Sequence, residues 1–197
     1  MLKRIVLSAV MMLVLTAAVS QAEVWKVDNA HSYVGFEVKH LVISTVKGNF
    51  KDFAGTIIFD GKDVSKGSAE LTIQVASINT NQEKRDGHLK SADFFAADSF
   101  PTITFKSKKV IPGTDQAFKL VGDFTMRGVT KEVTFDCVFG GVFTSEKMGG
   151  SRAGFSAEAV INRQDFKLSY GQVLDNGGLA VGNDVKIKID LEAVKAK

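Results

Sequence analysis

Val185-Lys186-Ile187-Lys188-Ile189-Asp190-Leu191-Glu192 is the stretch that decides the fold. Four apolar side chains alternate with four charged ones, and a strict period of two puts the sets on opposite faces of an extended strand. Working back along the chain, the alternation recurs. Phe155, Ala157, Ala159 and Ile161 share one face. Val133, Phe135, Cys137 and Phe139 stand against Glu132, Thr134 and Asp136, and Phe118, Leu120, Gly122, Phe124 and Met126 form a similar row. Ile103 and Phe105 stand against Thr102, Thr104 and Lys106, and Leu71, Ile73 and Val75 against Glu70, Thr72 and Gln74. Phe53, Gly55, Ile57 and Phe59 add a seventh segment, and Val34, Phe36 and Val38 against Gly35, Glu37 and Lys39 an eighth.

Met126-Arg127-Gly128-Val129 separates two of these runs closely enough for a hairpin, and Ile111-Pro112-Gly113-Thr114 reads as a turn before Phe118. Eight half-buried strands imply an all-β closed barrel or a sandwich. Runs of eight to ten residues reach about 30 Å, long enough for a deep barrel. Thr80-Asn81-Gln82-Glu83 has capping-box spacing and predicts a short helix through Leu89, weakened by Gly87. A second cap at Ser91 precedes the pair Phe94-Phe95, so this excursion is expected to close one end of the barrel. Thr144 to Arg152 and the glycine-rich Tyr170 to Gly182 are expected to be flexible rims.

The chain has 197 residues, 45% of them hydrophobic, which suits one folded domain and excludes a disordered one. One Cys excludes an internal disulfide framework and any multi-cysteine metal centre. Lys3 and Arg4 precede an uncharged run from Ile5 to Val19, followed by Ser20-Gln21-Ala22, the pattern of a secretory leader cleaved before Glu23. That apolar run falls short of the ~20 residues that a membrane-spanning helix needs. A lipoprotein needs a Cys at the cleavage point, and Cys137 lies deep in the chain. Removing residues 1–22 leaves a single domain over residues 23–197. Two of the 25 basic side chains go and none of the 22 acidic ones, so the formal charge falls from +3 to about +1. No Lys/Arg stripe of the kind that neutralises phosphates is present, and nucleic acid is not an expected partner.

Lys186, Lys188, Asp190 and Glu192 stand together on one strand face, as on a solvated wall, and no aromatic girdles flank the strands. The expected barrel therefore has an apolar interior. From the residues alone two readings stand: a filled core, or a cavity holding an apolar ligand. No Gly-x-Ser-x-Gly elbow or phosphate-binding P-loop is present, and Cys137 shares its face with Phe135 and Phe139, which predicts a buried thiol. His31, His40 and His88 lack the close ligand spacing of a zinc site, so neither a metal nor catalysis is expected.

Several stretches together resemble the YceI family of bacterial polyisoprenoid-binding, lipocalin-like proteins. They are His31 to Leu41, Gly48-Asn49-Phe50, Arg85-Asp86-Gly87-His88-Leu89-Lys90-Ser91, Gly122 to Lys131 and Asn162-Arg163-Gln164-Asp165-Phe166. One departure is Lys167, where members of that family often have Gly after the Asp-Phe pair. The resemblance implies an extended eight-stranded antiparallel barrel, exported to the periplasm. It also implies a ligand with a long apolar chain: a polyisoprenoid, an isoprenoid quinone or a fatty-acid derivative.

The lining would come from Val34, Phe36 and Val38, from Ile57 and Phe59, and from Ile73 and Val75. Further along it would take in Ile103, Phe105, Leu120 and Phe124, then Phe135, Cys137, Phe155, Ile187 and Ile189. His40, Arg85, His88 and Arg163 are the candidates to meet a head group. Arg85 and Arg163 read equally well as charge-assisted ties within the fold. A different class of function also stays open, a stress-related module with a filled core acting beside a membrane cytochrome or a quinone-linked partner. Monomer and homodimer are both compatible with the sequence.

Overall fold

The computed structural model describes residues 21–175 and 177–197, so the expected leader lies, but for Gln21 and Ala22, outside the described residues. The strands are β1 (Glu23–Val27), β2 (Tyr33–His40), β3 (Ser44–Phe50), β4 (Phe53–Phe59), β5 (Ser68–Gln74) and β6 (Ile78–Asn79). They continue with β7 (Thr102–Pro112), β8 (Ala117–Met126), β9 (Val129–Ser145), β10 (Gly150–Asn162) and β11 (Val181–Lys195). One α-helix, α1 (Glu83–Lys90), lies between β6 and β7.

Six of these segments join end to end into three broken staves. β1 and β2 run on either side of a 3-10 turn at Asn29–His31, and β5 and β6 on either side of another at Val75–Ser77. β4 follows β3 after two residues. β1 and β2 both pair with β11, through Trp25↔Lys195 and Val34↔Ile189. β4 lies between β1 and β5, while β3 lies between β2 and β6. Counted as staves, the wall is a closed eight-stranded antiparallel barrel in which each stave neighbours the next in sequence and the last closes on the first. Closure removes the open sheet edges that invite aggregation. All eight segments recognised by their alternation are staves of this wall.

The β8–β9 connection is the expected hairpin, with Met126 opposite Val129 and both Arg127 and Gly128 left-handed at φ 50 and 71. The rim expected at Thr144 to Arg152 is mostly strand. β9 and β10 stay paired out to Ser145↔Gly150, and only residues 146–149 turn the corner. The expected capping box at Thr80 does not form: Gln82 is the N-cap, its Oε1 accepting from Arg85 N at 2.6 Å. Thr80 is instead buried and held by Asp86.

One end of the barrel carries α1, the β2–β3 and β8–β9 turns and the long connection from Arg163 to Ala180; the other carries residues 60–67, 113–116 and 146–149. Leu89 is the apolar side chain of α1 that packs on the core, and Phe94 and Phe95, just beyond the helix, are the buried side chains that plug this end. Inside, one large cluster includes Phe105 edge-on to Phe135 at 5.1 Å and Phe124 edge-on to Phe166 at 5.5 Å. A smaller cluster of Trp25, Ile57, Phe59, Ala153 and Ala193 fills the opposite end. Burying each such aromatic is worth about 1.5–3 kcal/mol, so these clusters dominate the fold's stability. The outer wall carries cross-strand ion pairs such as Lys106–Glu70 at 2.8 Å, Lys186–Glu158 at 2.6 Å and Lys188–Glu37 at 3.0 Å. An apolar interior inside a charged wall is the reverse of a membrane-spanning barrel. Among the described residues no helix is long and apolar enough to cross a membrane.

Candidate ligand-binding site

The large cluster does not fill the barrel. An apolar cavity of about 170 Å³ runs through it, bordered at the far end by Val27, Ile57 and Leu191 and at the helix end by Leu89, Phe94, Leu168 and Val181. Along β11 alone the lining runs from Val181 to Leu191, about 30 Å at ~3.3 Å per residue. Close-packed interiors hold few voids larger than a water molecule, and an apolar cavity of roughly 150 Å³ stays dry and takes up hydrocarbon. The space is long and narrow, suited to a chain rather than a compact molecule.

Val34, Phe36 and Val38 of β2 border this space, as do Ile57, Ile73, Ile103 and Phe105. So do Leu120, Phe124, Phe135, Ile187 and Ile189. The other four expected lining residues do not. Phe59 is buried in the small cluster against Trp25, with ring centroids 5.2 Å apart, and Phe155 packs on Phe59 at 5.6 Å. Val75 is buried in the 3-10 turn between β5 and β6. Cys137 is buried with Sγ directed at the Phe135 carbonyl, 3.6 Å away. Burial pushes its thiol up to about 12, so it stays protonated and unreactive near neutral pH.

Sequence reasoning missed Phe50, Phe94, Phe95 and Leu168 as lining residues. Phe94 and Phe95 stood out as an aromatic pair beside a helix cap, which was a usable signal. Phe50 and Leu168 sit at a strand end and in a connection, where no period marks an inward face.

All four expected head-group residues belong to the helix end, but they do different things. His40 is exposed at the end of β2. Arg85 donates from Nε to Thr80 Oγ1 and from Nη2 to Thr80 O, each at 2.7 Å, and so ties α1 to the end of β6. His88 lies 3.0 Å from Asp93 Oδ2 and edge-on to the rings of Phe94 and Tyr170. Arg163 alone of the four borders the cavity. Asn162 caps the 3-10 turn that carries it, accepting from Gln164 N at 3.0 Å. Its side chain is only 3% exposed and donates to the carbonyls of Gly182 at 2.9 Å, Val181 at 3.1 Å and Leu168. Burial lowers the Arg163 pKa, yet a guanidinium keeps its charge. No carboxylate among the described residues forms an ion pair with it.

A YceI-like domain model matches residues 25–193. The chain belongs to the YceI-like domain family. UPF0312 protein SA2479 of Staphylococcus aureus (strain N315) is 42% identical to it over 165 residues, covering 84% of this chain and 94% of that protein. Among solved structures, the Campylobacter jejuni YceI protein is 38% identical with a TM-score of 0.69, covering 86% of this chain and 96% of that one. BcnA of Burkholderia cenocepacia is 27% identical with a TM-score of 0.74, covering 85% and 99%. A polyisoprenoid-binding domain from Saccharophagus degradans, 15% identical, shares the fold at a TM-score of 0.67, covering 87% and 98%. In this YceI-like domain Lys167 has a left-handed backbone, with φ 62 and ψ 20, a conformation that Gly adopts more readily than Lys.

Proposed function

We propose that this barrel is a non-enzymatic binding protein for one long apolar chain: a polyisoprenoid, an isoprenoid quinone or a fatty-acid derivative. The observation that carries this reading is the long apolar cavity inside an otherwise close-packed barrel. At ~25 cal/mol per Å² of apolar surface removed from water, a chain of several isoprene units gains ample affinity from such a lining without any polar contact. The shared fold with a polyisoprenoid-binding domain supports the same ligand class. The head group sits at the helix end, where the charged side chain of Arg163 borders the cavity. The leader-like residues 1–22 support export, with carriage, storage or sequestration taking place in the periplasm.

Native mass spectrometry of protein purified from its host, followed by organic extraction, tests the proposal and is expected to release a prenyl or acyl chain. Lipid-free protein that also fails to take up a fluorescent prenyl analogue would favour the module acting beside a membrane cytochrome. Trp25 is a poor reporter for that titration, because it is buried in the small cluster away from the cavity.

A further inference from the structure

The β2–β3 turn is built from Leu41, Val42 and Ile43, three apolar residues in succession, exposed by 39%, 57% and 86%. Scattered exposed apolar residues are ordinary, but a consecutive apolar run at a hairpin tip is not. The backbone makes the choice more unusual. Leu41 and Val42 are both left-handed, at φ 51 and 66. Hairpins normally fill such positions with Asn-Gly or Asp-Gly, and a β-branched residue there is an outlier. This turn therefore keeps apolar side chains at a cost in backbone strain, with no buried contact in return for Ile43.

Its position gives the run a use. Leu41 N donates to Ala180 O at 2.9 Å, and Ala180 N donates to Gln172 O at 2.9 Å, which places the 73%-exposed Val173 on the adjoining strip of rim. The same strip continues into Val181, opposite His40 and bordering the cavity beside Val38. Next to the tip, Lys39 makes no ion pair among the described residues. Exposed aliphatic side chains beside a basic residue, at the end of a cavity for an apolar chain, match a bilayer surface with anionic head groups.

We infer that Leu41, Val42 and Ile43, with Val173, form a membrane-contact tip that seats the helix end of the barrel on a lipid surface, where the apolar chain enters and leaves. The location of the tip's use rests on the carrier reading; contact with the bilayer does not.

Vesicles of phosphatidylethanolamine and phosphatidylglycerol are the probe, with flotation of the full barrel as the readout. The double variant Leu41→Asn/Val42→Gly installs the residue pair that this backbone prefers, so it is expected to fold at least as stably as the parent. Ile43→Ser serves as a second, milder variant. Flotation is expected to fall at least about tenfold in the double variant, given the apolar area lost from the tip. Transfer of a prenyl analogue from vesicles is expected to fall with it, while uptake of the same analogue from detergent micelles stays unchanged. Parent protein that does not float, or variants that float equally well, would overturn the inference. So would a parent dimer that the variants dissociate without any vesicle binding, since the tip would then be a self-association surface. Failure of micelle uptake by the parent would count against the carrier reading alone, because flotation is read independently of cargo.

Discussion

Asp86 in α1 accepts two hydrogen bonds from Thr80, one from the backbone N at 2.9 Å and one from Oγ1 at 2.5 Å. Thr80 is only 5% exposed and also takes both Arg85 contacts. The helix has a single apolar side chain on the core, Leu89, so this polar knot, more than apolar burial, fixes it over the end of the barrel.

Removing the carboxylate therefore leaves a buried hydroxyl and amide without their acceptor. Asp86→Ala is expected to destabilise the protein by about 2–3 kcal/mol, and Asp86→Asn, which keeps the accepting oxygen but not its charge, by about half as much. Urea unfolding measures both. A loss under about 0.5 kcal/mol for the alanine variant would mean that the helix is anchored in some other way.

Lys167 supplies a second stability test. Its backbone is left-handed at φ 62, and its N–H and carbonyl are engaged with Gln164 O and the Arg127 guanidinium. Lys167→Gly keeps these main-chain contacts and relieves the steric penalty, less the extra entropy of a glycine in the unfolded chain, for a net gain of about 0.5–1 kcal/mol. Lys167→Val should lose stability instead. Thermal melts that rank the three in another order would show that the Lys167 side chain makes a compensating contact.

What was legible in the sequence follows from where one side of the chain meets water and the other does not. Every stave with a dry inner face and a wet outer face announced itself by alternation. The breaks at Asn29–His31 and Val75–Ser77 did not, because each is a single turn that interrupts the period without an outward signature. The outer ends of β9 and β10 were hidden for another reason: Val142 and Phe143 are adjacent and both exposed, and the register shifts between Gly154 and Phe155. Alternation also reports a face but not a radius. It could assign Phe59 and Phe155 to the interior, yet not place them in the plug around Trp25 rather than on the cavity. The four head-group candidates all lie at the helix end, but that shared end, and the separation of Arg163 on the cavity from Arg85 in the Thr80 knot, come from three-dimensional packing.

The turn between β1 and β2 predicts a pH dependence. His31 Nδ1 lies 2.9 Å from Asp28 Oδ2 and 4.0 Å from Glu192, while Arg152 is 3.1 Å from Glu192 and 3.8 Å from Asp28, so the two carboxylates are matched by cations within the chain. The hydrogen bond with Asp28 raises the His31 pKa above 6.5, and the same bond holds Asp28 below 3.8. A raised histidine pKa adds stability that is fully present below 6.5 and is lost as pH climbs through the folded-state value. A lowered carboxylate pKa adds stability that is present above 3.8 and lost as pH falls through its own folded-state value. Melting temperature should therefore carry a small decline above 6.5 that His31→Gln abolishes. An identical slope in the variant would assign that decline to other groups.

Cys137 should behave as a reporter of unfolding. With its thiol buried and its pKa pushed up to about 12, labelling by an aromatic disulfide at mildly alkaline pH has to wait for the barrel to open. The labelling rate is expected to track unfolding across a urea series and to drop when a prenyl ligand is bound. Rapid labelling of the native protein would contradict the burial assigned here.

Ala157 allows the cavity itself to be tested without damage to the outer wall. It borders the cavity on β10, while Val160, three residues on, is 64% exposed on the outside of the same strand. Ala157→Phe puts a ring into the space that a chain would occupy, and partial overpacking is expected to cost no more than about 1–3 kcal/mol. Val160→Phe adds the same ring outside the barrel. Uptake of a prenyl analogue from micelles should fall at least about tenfold in the first variant, as roughly 1.4 kcal/mol of apolar contact is replaced by protein. It should remain at the parental level in the second. Equal uptake by both folded variants would mean that the chain binds on the barrel's surface, and the interior would then be a packing defect with no role in recognition.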